Sequence, residues 1–220
     1  MSIDNYFSYF NTQLSEVGGV NDQLFKKILL VTMLDTLARA PFPTEKSNKK
    51  RFVGFIDKFA DWDEKDRISL PQLSLLLETT DCSKLKNEVN QRLANWESGK
   101  EIYLTDDPEC AEILSLSSTD EVDLLKQARH TNLFYVYRNH LVHEFRKPGY
   151  GIEHADDDSP FYLETEDLES GITTWELVYP VKFFKGLVCS SLNGLKSYLE
   201  EKNIDPHASY SFGSTWNNRL

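Results

Sequence analysis

Two histidines and two arginines stand close together in this chain, where imidazole and guanidinium groups can act on one phosphate. A long helical pattern, stopped by Pro148-Gly149, carries near its end Arg138, His140, His143 and Arg146. A guanidinium binds a phosphate through parallel N–H groups, and an imidazole exchanges a proton near neutral pH. Those are the two tasks of ribonucleotide cleavage. The same residues also fit an ordinary polar helix end, whose cations complement the helix dipole.

The charge distribution limits what such a site can bind. The chain has 220 residues and a formal net charge of −11, which disfavours general nucleic-acid affinity because Lys and Arg drive phosphate binding. Neither Lys nor Arg occurs from Pro148 to Val181 or from Glu101 to Leu125; the basic residues concentrate around Lys46 to Arg51 and Arg138 to Lys147. The sequence therefore allows a local anion site and excludes broad coating of RNA or DNA.

Composition and cysteine usage predict an ordinary globular protein of the cytoplasm. Hydrophobic residues make up 40% and charged residues 27%, and no apolar run approaches the length of about 20 residues that spans a membrane. The N-terminus lacks the basic region and apolar stretch of a secretory signal. The three cysteines, Cys82, Cys110 and Cys189, form no zinc or disulfide spacing, which fits a reducing compartment.

Apolar residues at helical spacing run through most of the chain. Capping residues, Gly18-Gly19 and the prolines at 41 and 43 delimit the elements, and Pro71 fits a first helical turn. These patterns predict helices at about 4–17, 22–40, 51–62, 68–79, 84–96, 118–143 and 181–201. The 118–143 pattern is read as one helix of about seven turns.

A different pattern appears between the last two predicted helices. Pro160–Glu164 and Thr173–Tyr179 alternate like two strands around Glu169-Ser170-Gly171, and Ile102–Leu104 is a further short extended piece. The predicted fold is therefore mainly α, a helical bundle with a small β-hairpin insertion at about 160–180, before the last helix. Residues 1–204 are expected to form a single domain, followed by a polar tail at 205–220.

The spacing of Arg138-Asn139-His140-Leu141-Val142-His143 resembles the signature of HEPN domains, a family of helical bundles that bind nucleotides. That signature is an Arg followed after four to six residues by His, often with Asn, Asp or His directly after the Arg. Some family toxins carry a Tyr two residues after the motif His, where this chain has Phe145. Regulation by nucleotide transfer to that position is therefore not expected here.

The resemblance implies a metal-independent endoribonuclease, acting as a homodimer on RNA as a toxin or antiphage effector. His143 would be the general acid or base, Arg138 would stabilise the phosphate charge and Asn139 would orient either group. No cofactor or metal is expected. An antitoxin or defence-system protein is a candidate partner, and a membrane is not.

Ideal helical geometry adds two expectations. Asn139, His143 and Arg146 fall on one stripe, whereas Arg138 lies about 140° around the helix from His143. The two catalytic residues would therefore meet most easily in a cleft between two helices, which favours a dimer. Arg146, with His140 and Lys147, is the candidate set for substrate binding.

Three alternatives compete with this interpretation. The chain can be a non-catalytic HEPN-like module that binds a nucleotide, RNA or a protein partner, which the charge of −11 favours. Asp35, inside a strongly apolar helix, needs a partner, and a structural ion pair with Arg138 is an equal alternative to catalysis. A zinc site built on His140 and His143 has no supporting motif.

Overall fold

The computed structural model describes residues 2–78, 83–154, 156–166, 168 and 171–209. The chain divides into two compact units, one formed by the residues up to Asp61 with those from Phe184 onward, the other by Trp62–Phe183. The described part is mainly helical with one small antiparallel sheet, which confirms the predicted fold class. Residues 210–220 of the predicted tail lie outside the described residues.

The helices follow the predicted order, with one addition, at Cys110–Leu114, and one division. Their bounds are α1 (Ile3–Gly18), α2 (Gln23–Leu37), α3 (Asn48–Phe59), α4 (Leu70–Leu77), α5 (Lys84–Leu93), α6 (Cys110–Leu114), α7 (Val122–Ala128), α8 (His130–His143) and α9 (Val181–Lys202). Short 3-10 turns occupy Asp63–Asp66, Leu104–Asp106, Thr119–Glu121 and Pro206–Ser209. The strands are β1 (Ile102–Tyr103), β2 (Phe161–Glu166) and β3 (Thr173–Val178).

The first unit is built from α1, α2, α3 and most of α9. Local capping sets the starts of α1, α2 and α3. Ser2, Asp22 and Ser47 each accept a hydrogen bond from a backbone N–H in the first turn of the helix they precede. The buried apolar residues of these helices include Phe7, Leu34, Phe55, Ile56, Leu187 and Leu195. At Gly194 a Cβ would lie 3.1 Å from the carbonyl oxygen of Phe59, so glycine allows α9 and α3 to approach closely.

The second unit joins α4 to α8 with the sheet. Its apolar core draws on α4, α5, α6 and α7 and consists of Ile68, Leu70, Leu73, Leu77, Leu85, Val89, Ile113, Leu125 and Ala128. In the sheet β2 lies in the centre, pairing with β1 from Ile102↔Tyr162 and with β3 from Phe161↔Val178 to Glu166↔Thr173. The predicted pairing of the two strands is therefore confirmed, and the extended piece at Ile102 adds a third strand. Glu169 and Ser170 of the predicted turn lie outside the described residues.

The predicted single helix over 118–143 is wrong, because the chain leaves the helical conformation at Arg129. That residue has φ −66° and ψ 136°, and it bridges Ile68 in an antiparallel pair. Ser69 donates its N–H to the carbonyl of Ala128, and His130 donates to the carbonyl of Arg67. These long-range backbone bonds replace helical ones, so α8 starts as a separate helix with its own direction.

Candidate functional site

Helix α8 carries the motif at its C-terminal end. Its first turn is held in place by a buried polar network around Asp107. Its Oδ1 accepts from the N–H of Leu70 at 2.9 Å, and its Oδ2 lies 2.7 Å from both Nε2 of His130 and the hydroxyl of Tyr162. The Tyr162 hydroxyl also lies 2.8 Å from the Ser69 hydroxyl. Asp107 is 1% exposed and His130 0% exposed, so substrate cannot reach them and the network is structural.

Burial keeps the Tyr162 hydroxyl in its donor form. Burial, with the Asp107 carboxylate second, raises the pKa of Tyr162 well above its usual value. The phenol therefore stays protonated and can donate to Asp107 at any physiological pH. Sequence reasoning missed this network, because its members are spread from Ser69 to Tyr162 and have no characteristic spacing.

The three residues predicted to be catalytic meet at the C-terminal end of α8. Nη1 of Arg138 donates to Oδ1 of Asn139 at 2.9 Å and lies 3.0 Å from Nε2 of His143. Arg138 is 9% exposed, whereas His143 is exposed to solvent. The buried guanidinium of Arg138 is thus hydrogen-bonded to the exposed imidazole of His143.

This contact determines which nitrogen of the imidazole accepts a hydrogen bond. A guanidinium only donates, so Nε2 of His143 must accept with its lone pair, and the neutral ring carries its proton on Nδ1. Protonation of Nε2 would remove the hydrogen bond and set two cations side by side. Nε2 of His143 is therefore occupied by Arg138 until another group draws the guanidinium away.

Arg138 and His143 meet without the two-helix cleft in which they were expected to meet most easily. Their Cα–Cβ directions diverge, but the Arg138 side chain is long enough to curl around the helix to Nε2 of His143. The cluster therefore forms within a single chain. This removes the geometric reason for a second helix, and the homodimer stays a prediction on other grounds.

Arg146 does not share the stripe of Asn139 and His143. α8 ends at His143, and Phe145 has φ 58°, in the left-handed region, so the backbone turns away before Arg146. Arg146 then places Nη2 2.6 Å from Oε2 of Glu144. The predicted alignment fails because a helical stripe requires helical backbone through all of its members.

His140, Glu144 and Arg146 form a second exposed cluster beside the first. Nδ1 of His140 lies 2.9 Å from Oε1 of Glu144 and 3.3 Å from Nη2 of Arg146, and the shorter contact makes the imidazole a donor to the carboxylate. That hydrogen bond, with the charge of Arg146 also contributing, lowers the pKa of Glu144 below its usual value. The ionised carboxylate therefore partly neutralises this pair of predicted substrate-binding residues.

The other two predicted residues lie apart from these contacts. Lys147 is largely buried, with Nζ 3.5 Å from Oε2 of Glu153. Asp35 lies on α2 in the first unit and Arg138 on α8 in the second, so their pairing stays a prediction.

One cluster of described residues has the side chains to hold a metal ion. Nδ1 of His154 lies 3.5 Å from Oε1 of Glu101 and 3.3 Å from Oδ2 of Asp157. Three half-buried ligands of this type are common at acidic surfaces, and the sequence did not predict them as a set. His154 is thus paired with carboxylates rather than with the motif histidines.

A groove of about 350 Å³ lies along α8 and β3 in the second unit. Polar and aromatic residues share its lining, among them Gln72, Tyr137, His140, Tyr150, Trp175 and Glu176. We call it the β3 groove. His140 belongs both to this lining and to the cluster with Glu144, so the groove and the motif end of α8 adjoin.

The chain matches no protein-family model, and no curated protein or solved structure is detectably similar to it. None of the helices among the described residues is long and apolar enough to cross a membrane. Cys110 and Cys189 both carry free thiols, and Cys82 lies outside the described residues.

Proposed function

We propose that this protein is a metal-independent endoribonuclease of HEPN type, with His143 as the group that moves a proton. The observation that supports it is the hydrogen-bonded cluster of Arg138, Asn139 and His143 at the exposed end of α8. The resemblance of the motif adds a role as a toxin or antiphage effector, and the free thiols fit a cytoplasmic location.

In the proposed reaction the 2′-oxygen attacks the neighbouring phosphorus and the bond from phosphorus to the 5′-oxygen breaks. The products are a 2′,3′-cyclic phosphate and a 5′-hydroxyl. Binding of the phosphate draws Nη1 of Arg138 from the imidazole to a phosphate oxygen, which frees Nε2 of His143 to accept the 2′-hydroxyl proton. Because Arg138 is buried, its charge acts on the phosphorane with little screening by water.

The leaving 5′-oxygen needs a proton from a second group. One neutral imidazole cannot accept the 2′-hydroxyl proton and donate another in the same step. In the proposed homodimer that acid is the protonated imidazole of His143 of the partner subunit, which gives its proton to the 5′-oxygen and is left neutral. The dimer is thus proposed for the chemistry, since the contact between Arg138 and His143 needs only one chain.

The test is cleavage of labelled RNA in the presence of EDTA by the wild type, His143→Ala and Arg138→Ala. We expect cleavage to survive EDTA and each variant to lose about 10²–10⁴-fold in rate. Matched controls are His154→Ala and Arg92→Ala, which remove an imidazole and a guanidinium held by carboxylates elsewhere. Equal background cleavage in all five proteins, or loss of wild-type cleavage in EDTA, would contradict the proposal.

A second function, a non-catalytic module that binds a nucleotide, RNA or protein partner, is favoured by the net charge of −11. A free-standing ribonuclease benefits from a positive field that attracts RNA, and this chain offers only a local one. Fluorescence anisotropy with 2′-O-methyl RNA, which cannot be cleaved, measures binding alone. Binding that requires Arg138, together with uncleaved ordinary RNA, would establish this second function in place of the first.

A further inference from the structure

We propose that the β3 groove binds a nucleobase and prefers guanine. This inference deepens the proposed function, on which it rests for the claim that the base belongs to RNA. The groove adjoins the motif through His140, so a base in the groove would carry its phosphate towards the cationic end of α8.

Aromatic side chains supply the faces on which a base can stack. Tyr150 is 59% exposed and Trp175 also lines the groove, whereas Tyr137, which is 6% exposed, contributes little surface to it. Trp175 is held in place by edge-to-face packing against Trp96, with ring centroids 5.2 Å apart. Stacking on such rings favours every base, because each base has a π-face.

Glu176 supplies the preference among bases. Its Oε2 accepts from the N–H of Tyr150 at 2.9 Å, which fixes the carboxylate against the loop that follows α8. An ionised carboxylate only accepts hydrogen bonds and has lone pairs on both oxygens. Guanine presents two adjacent donors, N1–H and the 2-amino group, whereas adenine, cytosine and uracil each place an acceptor beside a donor.

The loop is shaped so that this carboxylate can lie in the groove. Gly149 has φ 63°, and a Cβ there would lie 2.7 Å from Cδ of Glu176. Any other residue would both strain the backbone and push the carboxylate away. Glycine therefore lets the loop pack directly on Glu176 while Tyr150 stays exposed.

The size of the groove and the position of β3 fit a single base. Its volume of about 350 Å³ lies in the lower part of the range of about 300–1,000 Å³ typical of small-molecule sites. β3 is an edge strand of the sheet, so backbone groups on its outer side do not pair with β2. These groups can add hydrogen bonds to the polar edge of a base.

The test is binding of the four free nucleosides to the full chain, measured by calorimetry. We expect guanosine to bind most tightly and Glu176→Gln to weaken guanosine about tenfold, because a charged hydrogen bond is lost. Glu164→Gln is the matched control, since Glu164 lies on the neighbouring strand and also accepts from a backbone N–H, that of Gly99 at 3.0 Å. Its guanosine affinity should stay at the wild-type value.

A second variant tests stacking apart from the carboxylate. Tyr150→Ala should weaken all four nucleosides by a similar factor, between about fivefold and a hundredfold. Tyr9→Ala is its control, because Tyr9 is 58% exposed and belongs to the other unit. Equal affinity for the four nucleosides, or guanosine binding that Glu176→Gln leaves unchanged, would overturn the inference.

The nucleoside-binding assay and the ribonuclease assay can reject their two proposals independently of each other. His143→Ala should keep guanosine binding, so binding without RNA cleavage would reject the proposed function and leave the base site standing. Cleavage of RNA with the same base preference in wild type and Glu176→Gln would reject the base site alone. If no nucleoside binds, the inference is wrong. Val136 also lines the groove and is 47% exposed, so separation of a dimer into monomers by Val136→Asp would then identify the groove as a surface between copies.

Discussion

The two ends of α8 carry similar polar chemistry in opposite surroundings. At the start, His130 is fully buried and its Nε2 meets the Asp107 carboxylate. At the end, His143 is exposed and its Nε2 meets the Arg138 guanidinium. The first imidazole is paired with an acceptor in the interior, whereas the second is paired with a donor at the surface.

This contrast indicates which of the two histidines a substrate can reach. A histidine, an aspartate and a tyrosine in hydrogen-bonding contact look catalytic by composition, but at Asp107 no substrate can approach. The residue types of the Arg138 cluster suggest catalysis less strongly. Its imidazole is nevertheless exposed to solvent, and a competing anion can replace it as the hydrogen-bond partner of Arg138. Access to solvent, rather than residue type, distinguishes the two ends.

The largest expected effect is on stability, from Asp107→Ala. The substitution leaves the Leu70 N–H and His130 without their buried acceptor, and it leaves the Tyr162 hydroxyl with Ser69 alone. We expect a loss of about 3–5 kcal/mol in the free energy of unfolding, measured by urea denaturation. The control is Asp123→Ala, which removes an exposed carboxylate paired with Lys126 and should leave the denaturation midpoint close to that of the wild type. A small effect at Asp107 would show that the network does not fix α8.

A smaller effect on stability is expected when His130→Ala and His143→Ala are compared, and this comparison tests the two ends of α8 directly. We expect His130→Ala to cost about 2–4 kcal/mol of stability, because it leaves a cavity and removes one of the hydrogen-bond partners of a buried carboxylate. His143→Ala should cost less than about 1 kcal/mol, since the side chain is exposed and Arg138 keeps its bond to Asn139. Thermal unfolding of both variants measures the difference, and equal losses would erase the distinction between the two ends.

Much of the fold could be predicted because its signals are local. Apolar periodicity and caps placed α1, α3 and α9 within a few residues, and alternation located β2 and β3. The break at Arg129 could not be predicted, because it depends on pairing with Ile68, far away in sequence. No residue near Arg129 carries a helix-breaking signal.

The candidate site was likewise predicted from the sequence only in part. Arg138, Asn139 and His143 could be selected because their spacing matches a known motif, and their side chains do meet. The failure of the stripe at Arg146 came from extending helical geometry past a residue with positive φ, which a Phe does not announce. Glu176 gave no sequence signal, since its place beside Gly149 arises only when the hairpin folds back on α8.

The smallest expected effect is a shift in one titration at the exposed end of α8. The hydrogen bond from His140, with Arg146 also contributing, lowers the pKa of Glu144 below its unfolded value. A lowered carboxyl pKa contributes stability above the unfolded value, and that contribution is lost as the pH falls through the folded pKa. His140→Ala should therefore raise the pKa of Glu144 towards its ordinary value, as followed by carboxyl-carbon NMR. Lys126→Ala, which leaves this cluster intact, should not change the pKa of Glu144. If His140→Ala also leaves that pKa unchanged, Arg146 alone holds the carboxylate and His140 is available to substrate.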